Sequence, residues 1–435
     1  MSATLLRGRL LSFLDCPQAI DDHASYRYES DGGLLIKDGI IAKAGAYDAV
    51  REAAPEGTVE IDHRPHLIMP GFIDPHIHFP QMQVIGSYAA NLLEWLNTYT
   101  FVEEQKFADP AHAARIASRF FDEVIRHGTT TASAYCSVHK ASADAFFAES
   151  LKRGTCMVGG KVMMDRNAPP GLCDTPQSAY DNTQAVISQW HGTGRNHVAI
   201  TPRFAITSSP EEMEMARALA QEHPDLHIQT HLAENDGEIA FTLELYPEAK
   251  DYTEVYERYG LLGRKSLFGH CIHLSDREAA ALAESESVAV FCPTSNLFLG
   301  SGLFDKARLE KAGVRTAIAT DVGGGTNYSM LRTLDEGYKA LQLQGQRMNP
   351  LESFYRITLG NARALSLETR IGTLAEGSDA DVIVLNAAAT PAMALRMETV
   401  ETLANELFLL QTLGDDRAVA EVYVAGKAVK SSLDQ

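Results

Sequence analysis

The chain has 435 residues, 45% of them hydrophobic and 22% charged, with 57 acidic against 38 basic side chains and a formal net charge of −19. That balance belongs to a folded globular chain, and the length suits a large α/β barrel with a small second domain. The negative surplus repels phosphate backbones and argues against nucleic acid as a partner. No apolar run approaches the roughly 18 residues a membrane span needs, and no signal-peptide pattern opens the chain, so neither a membrane partner nor export is expected. Six widely spaced cysteines (Cys16, Cys136, Cys156, Cys173, Cys271, Cys292) without a C-x-x-C read as reduced thiols, which points to the cytoplasm.

In chain order, residues 1 to about 67 are β-rich, with strands expected at 5–13 and 33–41 around the turn chemistry of Lys37-Asp38-Gly39. From 67 onward, short apolar strands alternate with helical stretches. Strands are expected at 67–78, 129–135, 155–163, 197–205, 226–231, 266–270, 288–292 and 316–321, with amphipathic helices such as 110–127 and 210–222 between them. Eight is the number that closes a parallel barrel. Strand signals return at 377–385 and 420–429, so both chain ends are read as one small sheet domain.

A barrel of this kind carries its active site at the C-terminal ends of its strands. His76 and His78 end the first, and an i, i+2 spacing on a strand aims both rings to one side. His231 ends the fifth, His270 the sixth and Asp321 the eighth. Imidazoles and a carboxylate converging with an open position suit a catalytic divalent ion, zinc or iron, that activates water. Glu234, three residues past His231, is placed to overhang such an ion and shuttle protons.

With these residues in place the chain resembles the amidohydrolase superfamily, on Pro70-Gly71-Phe72-Ile73-Asp74-Pro75-His76-Ile77-His78, His231, His270 and Asp321. Within it the pattern is similar to the guanine deaminase family over nearly the whole length. That narrower match rests on Gln81, Leu92-Leu93-Glu94-Trp95-Leu96, His127-Gly128-Thr129-Thr130-Thr131, Thr201-Pro202-Arg203-Phe204, His231-Leu232-Ala233-Glu234-Asn235, Cys292-Pro293-Thr294-Ser295-Asn296-Leu297 and Thr412-Leu413-Gly414-Asp415-Asp416-Arg417. The combination of Gln81 with Arg203-Phe204 is its most specific part.

The resemblance implies an α/β fold, a (β/α)8 TIM-like barrel over 68–370, with a small β-sandwich domain built from the N- and C-terminal segments 1–67 and 371–435. It implies one divalent metal, zinc ahead of iron, held by His76, His78, His231 and Asp321. Glu234, His270 and Asp321 would carry the chemistry, and Gln81, Arg203, Phe204, His231 and Glu234 would contact the substrate. The implied reaction removes the 2-amino group of guanine to give xanthine and ammonia, in a homodimer. A related hydrolase acting on another amino- or halo-heterocycle is the alternative. One departure is Val102, where the family more often has proline.

The residues agree with this frame. Binuclear relatives carry a carboxylated lysine on strand four, but here that strand end holds Arg203, and Lys161 falls one strand early. One metal is favoured. Arg203 offers a permanent planar fork, Gln81 donates and accepts at once, and Phe204 offers a stacking face. His127, before Gly128 at a helix end, reads as a partner of terminal carbonyls. His139 is left open because it follows strand two. Gly323-Gly324-Gly325 lacks the lysine of a phosphate loop.

Overall fold

A computed structural model describes residues 3–88 and 92–433; the outermost positions of the terminal segments, 1–2 and 434–435, lie outside the described residues. The N-terminal part forms β1 (Ala3–Phe13), β2 (Tyr26–Lys37), β3 (Ile40–Ala46) and β4 (Val59–Pro70). Between β2 and β3 both turn residues, Asp38 (φ 53°) and Gly39 (φ 80°), are left-handed, the turn whose twist matches a hairpin.

The middle supplies β5 (Phe72–His78), β6 (Thr129–Tyr135), β7 (Cys156–Gly160), the two-residue β8 (Val162–Met163) and β9 (Asn196–Pro202). It continues with β10 (His227–Leu232), β11 (Ser266–His270), β12 (Val288–Phe291) and β13 (Arg315–Ile318). Helices such as Pro110–Arg126 and Pro210–Glu222 link them. Near the end come β14 (Val382–Leu385), β15 (Val419–Val424) and β16 (Lys427–Ala428).

Two sheets result. The first runs β16-β15-β14-β4-β1-β2-β3, so β14 from the far end pairs antiparallel with β4 from the start, Val382 opposite Pro70. The second runs β13-β12-β11-β10-β9-β7-β6-β5 with β8 beside β9, and its registered pairs are parallel. Every residue of β5, β6, β7 and β12 is buried, as expected of parallel strands covered on both faces. Among the described residues no helix is long and apolar enough to cross a membrane.

Eight parallel strands curl into a nearly closed barrel, and its seam lies between β5 and the end of β13. Asp321 N donates to His76 O at 2.9 Å and His78 N to Val322 O at 3.2 Å. Lower down, the Asn361 side chain spans the same gap: Nδ2 donates to Ile73 O (2.7 Å) and Ile318 O (2.8 Å), while Oδ1 accepts from Ile318 N (3.2 Å). Arg195 ties barrel to terminal sheet, with Nη1 on Asp381 Oδ2 at 2.7 Å and Nη2 on Asp381 Oδ1 at 2.9 Å.

The strand expectations differ from the structure at their ends. The run 67–78 divides at Gly71, which leaves the terminal sheet for the barrel; a Cβ there would overlap Thr130, and its N–H goes to Asp381 O at 2.9 Å. The run 155–163 divides at Lys161, 197–205 ends at Pro202, and 316–321 ends at Ile318 because Asp321 turns left-handed (φ 50°) to reach the seam. The run 377–385 is strand only over Val382–Leu385, since Asp379 and Asp381 before it bind Arg195.

Replacing Asn361 by Ala strands three buried backbone groups at the seam. It should lower the unfolding free energy by about 2–3 kcal/mol, read as a lower urea midpoint by tryptophan fluorescence. Asn361→Asp, which sets a carboxylate against two carbonyls, should cost at least as much.

Candidate active site

The strand ends bring five expected groups together. His76 and His78 leave the end of β5, and the ring of His78 stacks on Tyr135, its register partner on β6, at 4.5 Å and 24°. His231 sits near the end of β10, opposite Gly269 of β11. A Cβ on Gly269 would overlap the His76 ring, so this glycine makes room for the histidine. His270 and Asp321 follow with left-handed backbones, φ 72° and 50°, and Ala233 beside Glu234 has φ 50°. Three non-glycine residues in this sparse region around one cavity mark backbone strain held by the surrounding fold.

The polar atoms are close. His78 Nε2 lies 3.2 Å from His231 Nε2 and 3.2 Å from Asp321 Oδ1, and His76 Nε2 lies 3.3 Å from the same oxygen. Ligand atoms at about 2.0–2.1 Å around a tetrahedral ion stand roughly 3.3–3.4 Å apart, so the spacing fits a divalent cation. The donor chemistry fits as well. Both ring nitrogens of His76 are buried without a hydrogen-bond partner, and His231 Nδ1 donates to Arg203 O at 2.7 Å, which leaves its Nε2 lone pair inward. Burial holds His78 down to about 4, and burial with the neighbouring imidazoles holds His231 well below the usual histidine range, so both rings stay neutral. Burial opposes ionisation of Asp321, yet the His76 and His78 rings, with Nε2 3.3 and 3.2 Å from its Oδ1, keep its carboxyl well below the usual range. Cys292 is a neighbour of the cluster, but burial pushes its thiol well up and Sγ donates to Val290 O.

Glu234 and His270 complete the centre. His270 Nδ1 donates to Asn296 Oδ1 at 2.9 Å, which aims Nε2 at Glu234 Oε2 (3.3 Å) and Asp321 Oδ2 (3.7 Å). Burial and the charge of Asp321 push the Glu234 carboxyl up to about 8, against a hydrogen bond from Ser301 Oγ at 2.8 Å. A carboxyl in that range takes and returns protons near neutrality.

The pocket above is walled by Gln81, Trp95, Arg203, Phe204, Leu299 and Gly324. Gln81 and Arg203 both reach it, Arg203 from just past β9 and Gln81 from the turn after β5. The sequence does not announce the residue that holds them: Glu104, 1% exposed, accepts from both. Asn296, Ser301 and Trp95 also escape a reading based on strand ends. Trp95 and Leu96 reach the pocket where the helical stretch 92–108 passes through a π-turn at Leu96–Thr100.

Other expectations find their places. Lys161 is fully buried and bonded to Asp174 and to Val162 O, away from the cluster. His127 Nδ1 donates to Glu123 O at 2.9 Å at its helix end. His139 occupies the position before helix Lys140–Arg153, without a side-chain bond to the helix start, and is not among the residues lining the pocket. Val102 stands exposed on the short helix Phe101–Glu104, facing away from the site.

A parallel barrel with imidazoles and a carboxylate gathered at its strand ends defines a metal-dependent hydrolase. The chain belongs to the amidohydrolase family, a metal-dependent family that matches it over residues 67–429, and it is a hydrolase acting on C–N bonds. It is 44% identical over 422 residues to the guanine deaminase of Escherichia coli (strain K12), covering 96% of this chain and 96% of that one. The solved structure of E. coli guanine deaminase superposes with a TM-score of 0.96 at 43% identity, over 98% of this chain and 99% of that one. A guanine deaminase from C. acetobutylicum, solved with guanine bound in its active site, superposes with a TM-score of 0.86 at 28% identity, over 98% and 100%.

Gly269→Ala should displace the His76 ring and leave the fold intact. We expect bound metal, measured by elemental analysis after dialysis, to fall at least about tenfold relative to wild type, as when an orienting partner of a ligand is lost.

Proposed function

We propose that this chain hydrolyses guanine to xanthine and ammonia, with one divalent ion, zinc ahead of iron, held by His76, His78, His231 and Asp321. One observation carries the reading. The pocket that opens onto the imidazole–carboxylate cluster is also walled by a fork (Arg203), an amide (Gln81) and an aromatic face (Phe204), the parts needed to seat a flat, polar base over a water-activating centre. The similarity to guanine deaminases along nearly the whole chain supports the same substrate.

When bound there, a divalent ion acidifies water and polarises the group it attacks. The chain's own residues do the rest. Phe204 and the wall residues hold the purine flat, with C2 toward Glu234. Glu234 takes a proton from the attacking water and passes it to the ring nitrogen N3, so negative charge does not accumulate on the base. His270, fixed by Asn296, and Asp321 orient the water on its Glu234 side. As the C2–N bond breaks, the second water proton reaches the departing amine through the same carboxyl, and ammonia leaves with a carbonyl formed at C2. General acid–base transfer contributes about 10²–10⁴-fold; positioning and the ion supply the remainder.

The reading extends to a homodimer working in the cytoplasm. It draws on the likeness to guanine deaminases and on six unpaired cysteines, four of them buried. Sedimentation of the purified protein tests the dimer.

The test is to follow the ultraviolet absorbance of guanine and the release of ammonia with metal-replete protein. Xanthine and ammonia in equal amounts, with adenine and cytosine inert, is the expected result; an inert protein on guanine overturns the proposal. Glu234→Gln should keep its metal and lose about 10³-fold or more in kcat. Near-normal turnover in that variant would remove Glu234 from the proton path.

A further inference from the structure

We propose that Glu104 is a positioning residue that decides which atoms Gln81 and Arg203 show to the substrate, and so makes the pocket wall a reader of a lactam edge, a ring N–H beside a carbonyl. The inference rests on the proposed function and names what selects an oxopurine within it.

Glu104 is buried at 1% exposure between the two side chains. Its Oε1 accepts from Gln81 Nε2 at 2.9 Å and from Arg203 Nη1 at 3.0 Å, and its Oε2 accepts from Arg203 Nη1 at 2.7 Å. An ionised carboxylate only accepts, so the Gln81 amide has one orientation available, NH2 toward Glu104 and oxygen away. That oxygen lies against Gly323, where a Cβ would overlap it, and it has no hydrogen-bond partner among the described residues. Arg203 engages Glu104 through Nη1 alone, which leaves Nε and Nη2 as donors, and its guanidinium sits 5.4 Å from the Phe101 ring centroid.

The wall therefore offers one acceptor beside donors. A base with N–H next to C=O, such as the N1–C6 edge of guanine, meets both. A base with an acceptor ring nitrogen at that place sets a lone pair against the Gln81 oxygen, and a buried clash of that kind is expensive. Without Glu104 the amide could turn over, and Arg203, 3% exposed, would be a buried cation without a counter-charge.

Glu104→Gln tests this without changing the size of the side chain. An amide at 104 must turn its oxygen to Arg203, so its NH2 faces Gln81, which then rotates and shows its own NH2 to the pocket. The probe is 2-aminopurine, which keeps the scissile amine but has an acceptor at N1. We expect kcat/KM for guanine to fall at least about 30-fold, mainly through KM, and the preference for guanine over 2-aminopurine to fall at least about tenfold. Where 2-aminopurine turns over too slowly to measure, its inhibition constant against guanine reads the same preference. Glu104→Asp keeps the carboxylate on a shorter arm and should weaken both substrates in parallel, with the preference within about threefold of wild type. That arm carries the test if the amide variant does not fold.

A wild-type enzyme inert on guanine overturns the functional reading and this inference with it. A wild type active on guanine, with Glu104→Gln losing both substrates equally, overturns this inference alone. So does a changed preference in Glu104→Asp.

Discussion

The barrel seam is the constraint on which everything else depends. The first barrel strand carries His76 and His78, and the last is followed by Asp321, more than two hundred residues later. Two backbone hydrogen bonds, Asp321 N to His76 O and His78 N to Val322 O, join them at the mouth, and the Asn361 side chain joins them below. Because the bonds fall at His76, His78 and Asp321 themselves, closing the barrel and bringing these side chains together are one event. The left-handed turn at Asp321 is part of that event, since it brings the amide to the seam while the carboxylate faces the imidazoles.

Around this seam five functional side chains are braced from behind by a second buried polar group. Arg203 O fixes the tautomer of His231, Asn296 fixes that of His270, Ser301 holds one oxygen of Glu234, and Glu104 holds both Arg203 and Gln81. Asp74, fully buried and pushed up to about 6 by desolvation, accepts from Thr320 and from the His76 amide, linking first and last strands again. The reason is common to all. In a dry site an unpaired polar group is costly, and a paired one has few orientations left. The same shortage of water that demands partners also sets the chemistry, since burial keeps the His78 and His231 imidazoles neutral and raises the Glu234 carboxyl to about 8.

Much of this was legible in the chain. Periodicity located all eight barrel strands, because parallel strands buried on both faces are short continuous apolar runs bounded by turns. Their ends were less legible. The run from 67 to 78 is uninterrupted in sequence, yet Gly71 divides it between two sheets for want of room beside Thr130. Likewise the last strand stops at Ile318, since the seam, and not the apolar pattern, claims the next residues. The chemistry-bearing groups His76, His78, His231, Glu234, His270 and Asp321 were readable because strand-end position follows from the architecture. Glu104 was not, since it lies on a short helix where two adjacent glutamates look alike. Only packing decides that Glu104 meets Arg203 and Gln81 while Glu103 pairs with Lys106.

By itself, then, the sequence determined which residue types stand at which strand ends, and with them a barrel and a gathering of imidazoles and carboxyl groups at its mouth. Those are local properties, carried by residue spacing and by the period of apolar side chains. Tertiary structure decided distances and orientations: the 3.2–3.3 Å spacing of the donor atoms, the tautomers, and the face Gln81 turns to the pocket. Those depend on contacts between segments far apart in the chain, where low dielectric and close packing leave a paired polar group few other orientations.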